Sequence, residues 1–136
     1  MDSKTKLTKE EKSYIAGFLD GDGSIFAQIV KGGNYKYGYT IKVSIGFYKK
    51  KNKYWFILKL KKLLKYGYVR IRKNSSMAEY VITAIGAVEQ ILLLIKDFLI
   101  IKKKVANLVL NIIEKKRNIN SKKKFIELCQ LVDNIA

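Results

Sequence analysis

Two carboxylates bracket a glycine in the run Asp20-Gly21-Asp22-Gly23, and these groups are the ones best suited to chemistry in this chain. The 136 residues contain no His, which removes every mechanism that needs an imidazole base or ligand. The single cysteine, Cys129, can form neither an internal disulfide nor a Cys-rich zinc site. Its setting, Phe125-Ile126-Glu127-Leu128-Cys129, is that of a small residue on a helix face. Four readings of the acidic run compete. A calcium loop starting at Asp20 needs Gly at its sixth position and Glu at its twelfth; here these are Ile25 and Lys31, so that reading fails. A plain helix end is disfavoured, because two aspartates at a helix C-terminus oppose the macrodipole. A general acid–base pair stays open, but no recognisable substrate pocket accompanies it. The fourth reading is an acidic metal site facing phosphate, in which Mg²⁺ bridges carboxylate, water and a scissile phosphate.

Charge favours the fourth. Twenty-eight Lys and Arg against 11 Asp and Glu leave a net charge of +17. A folded chain with that excess repels itself unless a polyanion neutralises it, so nucleic acid or an anionic membrane is the expected partner. A membrane-spanning segment is not expected. The most apolar window, Tyr80 to Ile101, is interrupted by Glu89, Lys96 and Asp97 and divided by Gly86, which fits a strand followed by a helix. The first residues, MDSKTKLTKEEK, lack the apolar stretch of a signal peptide. With one lone Cys, the expected location is intracellular, in a prokaryotic cytoplasm or an organelle. Apolar residues at 49% and aromatics at 12% argue against disorder, and residues 1–136 have the size of one domain.

The elements that must position the acids can be read from periodicity. Thr8-Lys9-Glu10-Glu11 has capping-box spacing, and Tyr14, Ile15, Phe18 and Leu19 follow at helical spacing, so a helix is expected to stop at Gly21-Asp22-Gly23. Ser24–Val30 and Thr40–Tyr48 alternate with period two around the turn residues Lys31-Gly32-Gly33-Asn34. Lys49–Lys65, with eight Lys and no acid, is expected to be a helix with a basic outer face. Tyr68–Arg72 and Glu79–Ala84 alternate again around Lys73-Asn74-Ser75-Ser76. Helices are expected from Val88, through Val105–Ile113, and after Ser121 with Phe125, Leu128, Leu131, Val132 and Ile135 on one face. The order α-β-β-α-β-β-α-α(-α) gives an α+β fold: one four-stranded antiparallel sheet, helices on one face and the other open.

The open face would present Phe26, Gln28, Val30, Thr40, Lys42, Ser44, Arg70, Arg72, Glu79, Val81 and Thr83, with Asn34 and Tyr35 in the first hairpin turn. Amides, hydroxyls and guanidiniums are the groups that read base edges and hold phosphates. An ordinary solvated face mixes charge signs more evenly. Nucleic acid is therefore the expected partner, with Lys50, Lys53 and Lys104 as further contacts, and one sheet could follow roughly ten base pairs of a double-stranded DNA.

Tyr14-Ile15-Ala16-Gly17-Phe18-Leu19-Asp20-Gly21-Asp22-Gly23-Ser24-Ile25 resembles the LAGLIDADG motif of homing endonucleases, keeping every glycine and both acids. The element order matches that family as well. Lys102-Lys103-Lys104-Val105-Ala106-Asn107 resembles the Lys-rich helix start of its single-motif, homodimeric branch. The resemblance implies a metal-dependent DNA endonuclease cutting a long, partly palindromic site and leaving 3′ overhangs. It implies Mg²⁺ as cofactor, with Mn²⁺ as substitute and Ca²⁺ binding without turnover. Asp22 would hold the metal, with the Gly21 carbonyl as a second ligand. Lys102 would be the catalytic-site lysine, with Lys104 the alternative. Several relatives carry Gln just after the second strand; here Lys49 stands in that slot. Ser13, Gly17 and Gly21 recur every fourth residue, with Ala16 beside them. Such a small-residue stripe lets two helices approach closely. The chain holds one motif and a two-strand cut needs two acidic sites, so Ser13, Ala16, Gly17, Asp20 and Gly21 are expected in a homodimer interface. Asp20 is expected to play a structural part near the helix end. Two rivals keep the charge and lose the cut: a maturase binding intron RNA on the same fold, and a non-enzymatic basic module.

Overall fold

A computed structural model describes residues 6–134, and Ile135, expected on the last helix, lies outside them. The chain runs through α1 (Lys9–Asp22), β1 (Gly23–Lys31), β2 (Tyr39–Lys50), α2 (Tyr54–Leu64), β3 (Tyr68–Ile71), β4 (Met77–Ile82), α3 (Ile85–Ile95), α4 (Lys103–Arg117) and α5 (Lys122–Asp133). Single 3-10 turns precede α2 and follow α3. The four strands form one antiparallel sheet in the order β1-β2-β4-β3.

α1 starts where its capping box dictates. Thr8 Oγ1 accepts from the Glu11 N–H at 3.1 Å, and Glu11 Oε1 accepts from the Thr8 N–H at 2.9 Å. The helix stops within the expected Gly21-Asp22-Gly23 run, but without a left-handed glycine turn. It continues through Gly21 and Asp22, and Gly23 enters β1 directly with φ −123° and ψ −176°, an extended conformation. Gly23 is needed for a different reason. A Cβ there would overlap a Leu19 methyl and stand 2.8 Å from the Gly46 carbonyl, so only glycine allows the helix to run straight into the sheet.

Period two divides the sheet into faces. Ile25, Val43, Ile45, Phe47, Ala78, Tyr80 and Ile82 are buried beneath α1 to α4. A second cluster of Ile41, Ile112, Phe125, Leu128 and Val132 seats α5 and α4 against the far end of β2. β2 runs on to Lys50, because Lys49 pairs with Ala78 and Lys50 with Met77. α2 therefore begins at Tyr54 instead of Lys49, and Lys65 closes it at φ 73°. β4 stops at Ile82, and α3 starts three residues earlier than Val88. Ser121 caps α5 as expected, accepting from the Lys124 N–H at 3.2 Å. No helix among the described residues is long and apolar enough to cross a membrane.

Candidate metal centre and nucleic-acid interface

The run of α1 into β1 sets Asp22 at the base of the helix, beside the end of β2. Its side chain is 56% exposed, and Lys49 Nζ lies 3.3 Å from Oδ2. Lys49 reaches it because it shares strand parity with Phe47 and so points toward α1. Its ammonium also lies 5.3 Å from the centre of the Phe18 ring, a cation–π distance. No group of three or more His, Cys, Asp or Glu side chains occurs among the described residues. At this helix end, Asp22 is thus an open carboxylate with the Lys49 ammonium beside it.

Asp20 does something else. Its carboxylate accepts from the N–H groups of Ile100 at 2.7 Å, Ile101 at 3.2 Å and Lys102 at 2.9 Å. Lys102 Nζ in turn donates to the Asp20 carbonyl at 2.8 Å. This places a cation at the negative end of α1, whose last turn has no basic residue of its own. Desolvation alone raises the Asp20 carboxyl pKa, but the three N–H donors and the Lys102 charge outweigh it and hold the group below its ordinary value. A lowered folded pKa means that Asp20 contributes stability above the ordinary carboxylate range, lost as pH falls through the lowered value. Asp20→Ala is expected to cost roughly 1 kcal/mol, a figure discounted because water can replace the acceptor at this open site. The difference in Tm between Asp20→Ala and the parent should shrink on acidification; a constant difference between pH 7 and pH 2 would contradict this.

The small-residue stripe is open. Ser13, Gly17 and Gly21 are exposed, and a Cβ at Gly17 or Gly21 would meet nothing within 4 Å. Packing inside this chain therefore does not require either glycine. Exposed apolar groups flank the stripe: Tyr14 and Trp55, both in edge contact with the Phe56 ring, on one side, and Ile100 and Ile101 beside Asp20 on the other. Ala16 is a correction to the expected interface. It is fully buried in the chain's own core, because one residue along a helix is a rotation of 100°, which turns it away from Gly17.

The other sheet face is open as expected. Phe26 stands opposite Ser44, Gln28 opposite Lys42, Val30 opposite Thr40, and Arg70 opposite Glu79. The 12 residues of β2 span about 40 Å, the length of roughly a dozen base pairs at about 3.4 Å. Gln28, Lys42, Lys50, Lys53, Arg70, Arg72, Thr83 and Lys104 are exposed. Asn34 and Tyr35 lie in the loop that joins β1 to β2, closed by the Gly32 N–H on the Gly38 carbonyl at 3.0 Å.

Two residues differ from their expected part. Glu79 is 2% exposed, so it cannot offer its carboxylate to a base edge. It accepts from Arg70 Nε and, at 3.1 Å, from Arg72 Nε, which holds two half-exposed guanidiniums side by side. The hydrogen bond to Glu79, with its charge, pushes the Arg70 pKa up. Ser44 is 6% exposed, and its hydroxyl has no hydrogen-bond partner among the described residues. Sequence reasoning also passed over Ser24, Tyr48 and Tyr68, which share this face. Their period-two positions were the available signal.

Comparison with known proteins fits this geometry. The sequence model of the family described as LAGLIDADG endonuclease matches residues 15–114. DNA endonuclease I-CreI of Chlamydomonas reinhardtii is 41% identical over 133 residues, covering 97% of this chain and 80% of that protein. DNA endonuclease I-CvuI of Chlorella vulgaris is 31% identical over 124 residues, covering 91% of this chain and 76% of that one. A crystal structure of I-CvuI, in complex with the I-CreI target in the presence of 2 mM Mg and with its DNA not cleaved, superimposes with a TM-score of 0.86 at 30% identity, over 93% of this chain and 80% of that chain. The acidic turn, the open basic sheet and these matches together show that the chain belongs to the LAGLIDADG endonuclease family, enzymes that cut DNA.

Proposed function

We propose that this chain is a site-specific, divalent-metal-dependent endonuclease of intron homing, which cuts both strands of a long, partly palindromic DNA site as a homodimer. The observation that carries this is the open α1 surface. Two helical glycines are not required by packing within the chain, apolar side chains flank them, and one exposed carboxylate, paired with Lys49, lies at the same helix's end. A second copy related by a two-fold axis covers the glycines and brings a second Asp22 close to the first.

Asp22 and the Gly21 carbonyl are hard oxygen donors of the kind Mg²⁺ selects, and the half-exposed carboxylate leaves room for water and phosphate oxygens. When bound, the ion supplies Lewis-acid activation of the phosphate and a water of lowered pKa. Mn²⁺ is expected to substitute, and Ca²⁺ to support binding without turnover. Lys49 keeps a positive charge beside Asp22, where charge develops on the scissile phosphate. Lys102, fixed on the Asp20 carbonyl, adds a second cation near the same helix end. Arg70 and Arg72, with their Nε atoms taken by Glu79, present their outer N–H edges to bases, and Lys50, Lys53 and Lys104 anchor phosphates. By this reading the products carry 3′ overhangs.

Binding should weaken steeply with salt, as several phosphates are neutralised per chain. Arg70→Ala and Arg72→Ala should each relax base preference about tenfold at particular positions. Lys62→Ala, on the outer face of α2, should leave the preference profile unchanged. Uniform loss across all sequences from the arginine changes would show phosphate contact alone. The whole reading is tested by incubating the protein with a pool of partly palindromic duplexes in Mg²⁺, Ca²⁺ or EDTA. One selected site should be cut in Mg²⁺, bound uncut in Ca²⁺ and left whole in EDTA. Cutting in EDTA removes the metal requirement. Retention of RNA with no DNA cut in any buffer would replace the endonuclease with an RNA-binding role.

A further inference from the structure

Tyr48 lines two hollows at once. One is the groove on the sheet face bounded by Phe26, Gln28, Ser44, Arg70 and Thr83. The other contains Asp22, Lys49 and Lys53. The side chain that separates base-facing groups from the acidic end is thus an aromatic ring, and neighbouring residues hold it in place.

Gly46 and Ser24 form that seat. They are partners in the β1–β2 register, one step along β2 from Tyr48 on the same face. The Tyr48 hydroxyl is hydrogen-bonded to Ser24 Oγ at 2.8 Å, across the strand pair. The ring therefore lies back along β2, over Gly46. A Cβ at position 46 would overlap the Tyr48 hydroxyl and stand 2.7 Å from ring Cζ, so the ring fills the space a residue-46 side chain would occupy. Glu79, the buried holder of Arg70 and Arg72, pairs directly with Tyr48 across β2 and β4. Ser24 is two residues from Asp22, and Lys49 follows Tyr48 on the opposite face.

We infer that Tyr48 is a specificity-determining residue for the base pairs at the centre of the site, next to Asp22, held over Gly46 by Ser24. This rests on the endonuclease reading above. In that row of the sheet no side chain from position 46 can reach a base, so the tyrosine ring is the surface that meets it. A ring edge beside Phe26 suits the apolar contact that a thymine methyl offers. Because the same ring walls off the acidic end, the shape of the central base pairs bears on where the backbone sits against Asp22.

The test is selection from duplexes randomised at the central positions, read twice: by cutting in Mg²⁺ and by binding in Ca²⁺. Tyr48→Ala should flatten central preference at least fivefold and leave positions governed by Arg70 and Arg72 unchanged. Gly46→Ala, which displaces the ring while retaining it, should shift the same central positions. Ser24→Ala should do so more weakly. Unchanged central preference in both Tyr48→Ala and Gly46→Ala overturns the inference. Equal loss at every position with a lowered Tm also overturns it, since that marks a purely structural ring. If the wild-type chain binds one site but cuts none, the endonuclease reading falls, while the binding profiles still decide the part played by Tyr48.

Discussion

Replacing Asp22 with Asn is expected to slow DNA cleavage by on the order of a thousandfold or more while leaving site affinity equal or tighter. The two effects separate because the carboxylate serves the chemistry alone. It is 56% exposed and packs no core, so the amide folds equally well. An amide oxygen is a far poorer ligand for Mg²⁺ than a carboxylate. Removing a negative charge from a surface that faces phosphates should strengthen attraction, and it frees Lys49 from the ion pair at 3.3 Å. Matched binding and cleavage curves in Ca²⁺ and Mg²⁺ check this. Cleavage near the wild-type rate would return Asp22 to a structural part in the helix end.

Gly17→Leu should abolish cleavage as completely, by a different route. Within one chain the change is harmless, since position 17 is exposed and a Cβ there meets nothing within 4 Å. Leucine is a better helix former than glycine by roughly 0.5–1 kcal/mol, so the isolated subunit should be as stable as the parent or more so. The loss is confined to the pair of helices, whose backbones can no longer approach. The expected result is a well-folded monomer with unchanged or raised Tm, no dimer at micromolar concentration and no cutting. A dimer of wild-type affinity and activity would show that α1 does not form the interface.

Much of this was legible in the sequence because local rules decide it. The capping box at Thr8 starts α1. Alternation in β1 and β2 puts Gln28 and Lys42 on one face and Ile29 and Ile41 on the other. The small-residue stripe needs only the helix repeat. What stayed hidden depends on contacts between segments distant in sequence. Glu79 reads as one more open-face polar group until the β3–β4 register sets it between two arginines. Lys49 reads as the first residue of a helix until β4 extends the ladder along β2. The continuation of α1 through Gly21 depends on the close approach of Gly23 to Gly46, and no window around the motif contains position 46. Ala16 looked like part of the stripe because it neighbours Gly17 in sequence, whereas the helix turns it into the core.

The central claim is that one chain is half an enzyme, completed by a second copy on DNA. Native mass measurement of the complex with its selected duplex, formed in Ca²⁺ and then released into Mg²⁺, tests it most directly. The account predicts two chains per duplex before the cut and none of the cleaving species with one chain. A complex of one chain and one duplex that cuts both strands on addition of Mg²⁺ would contradict it.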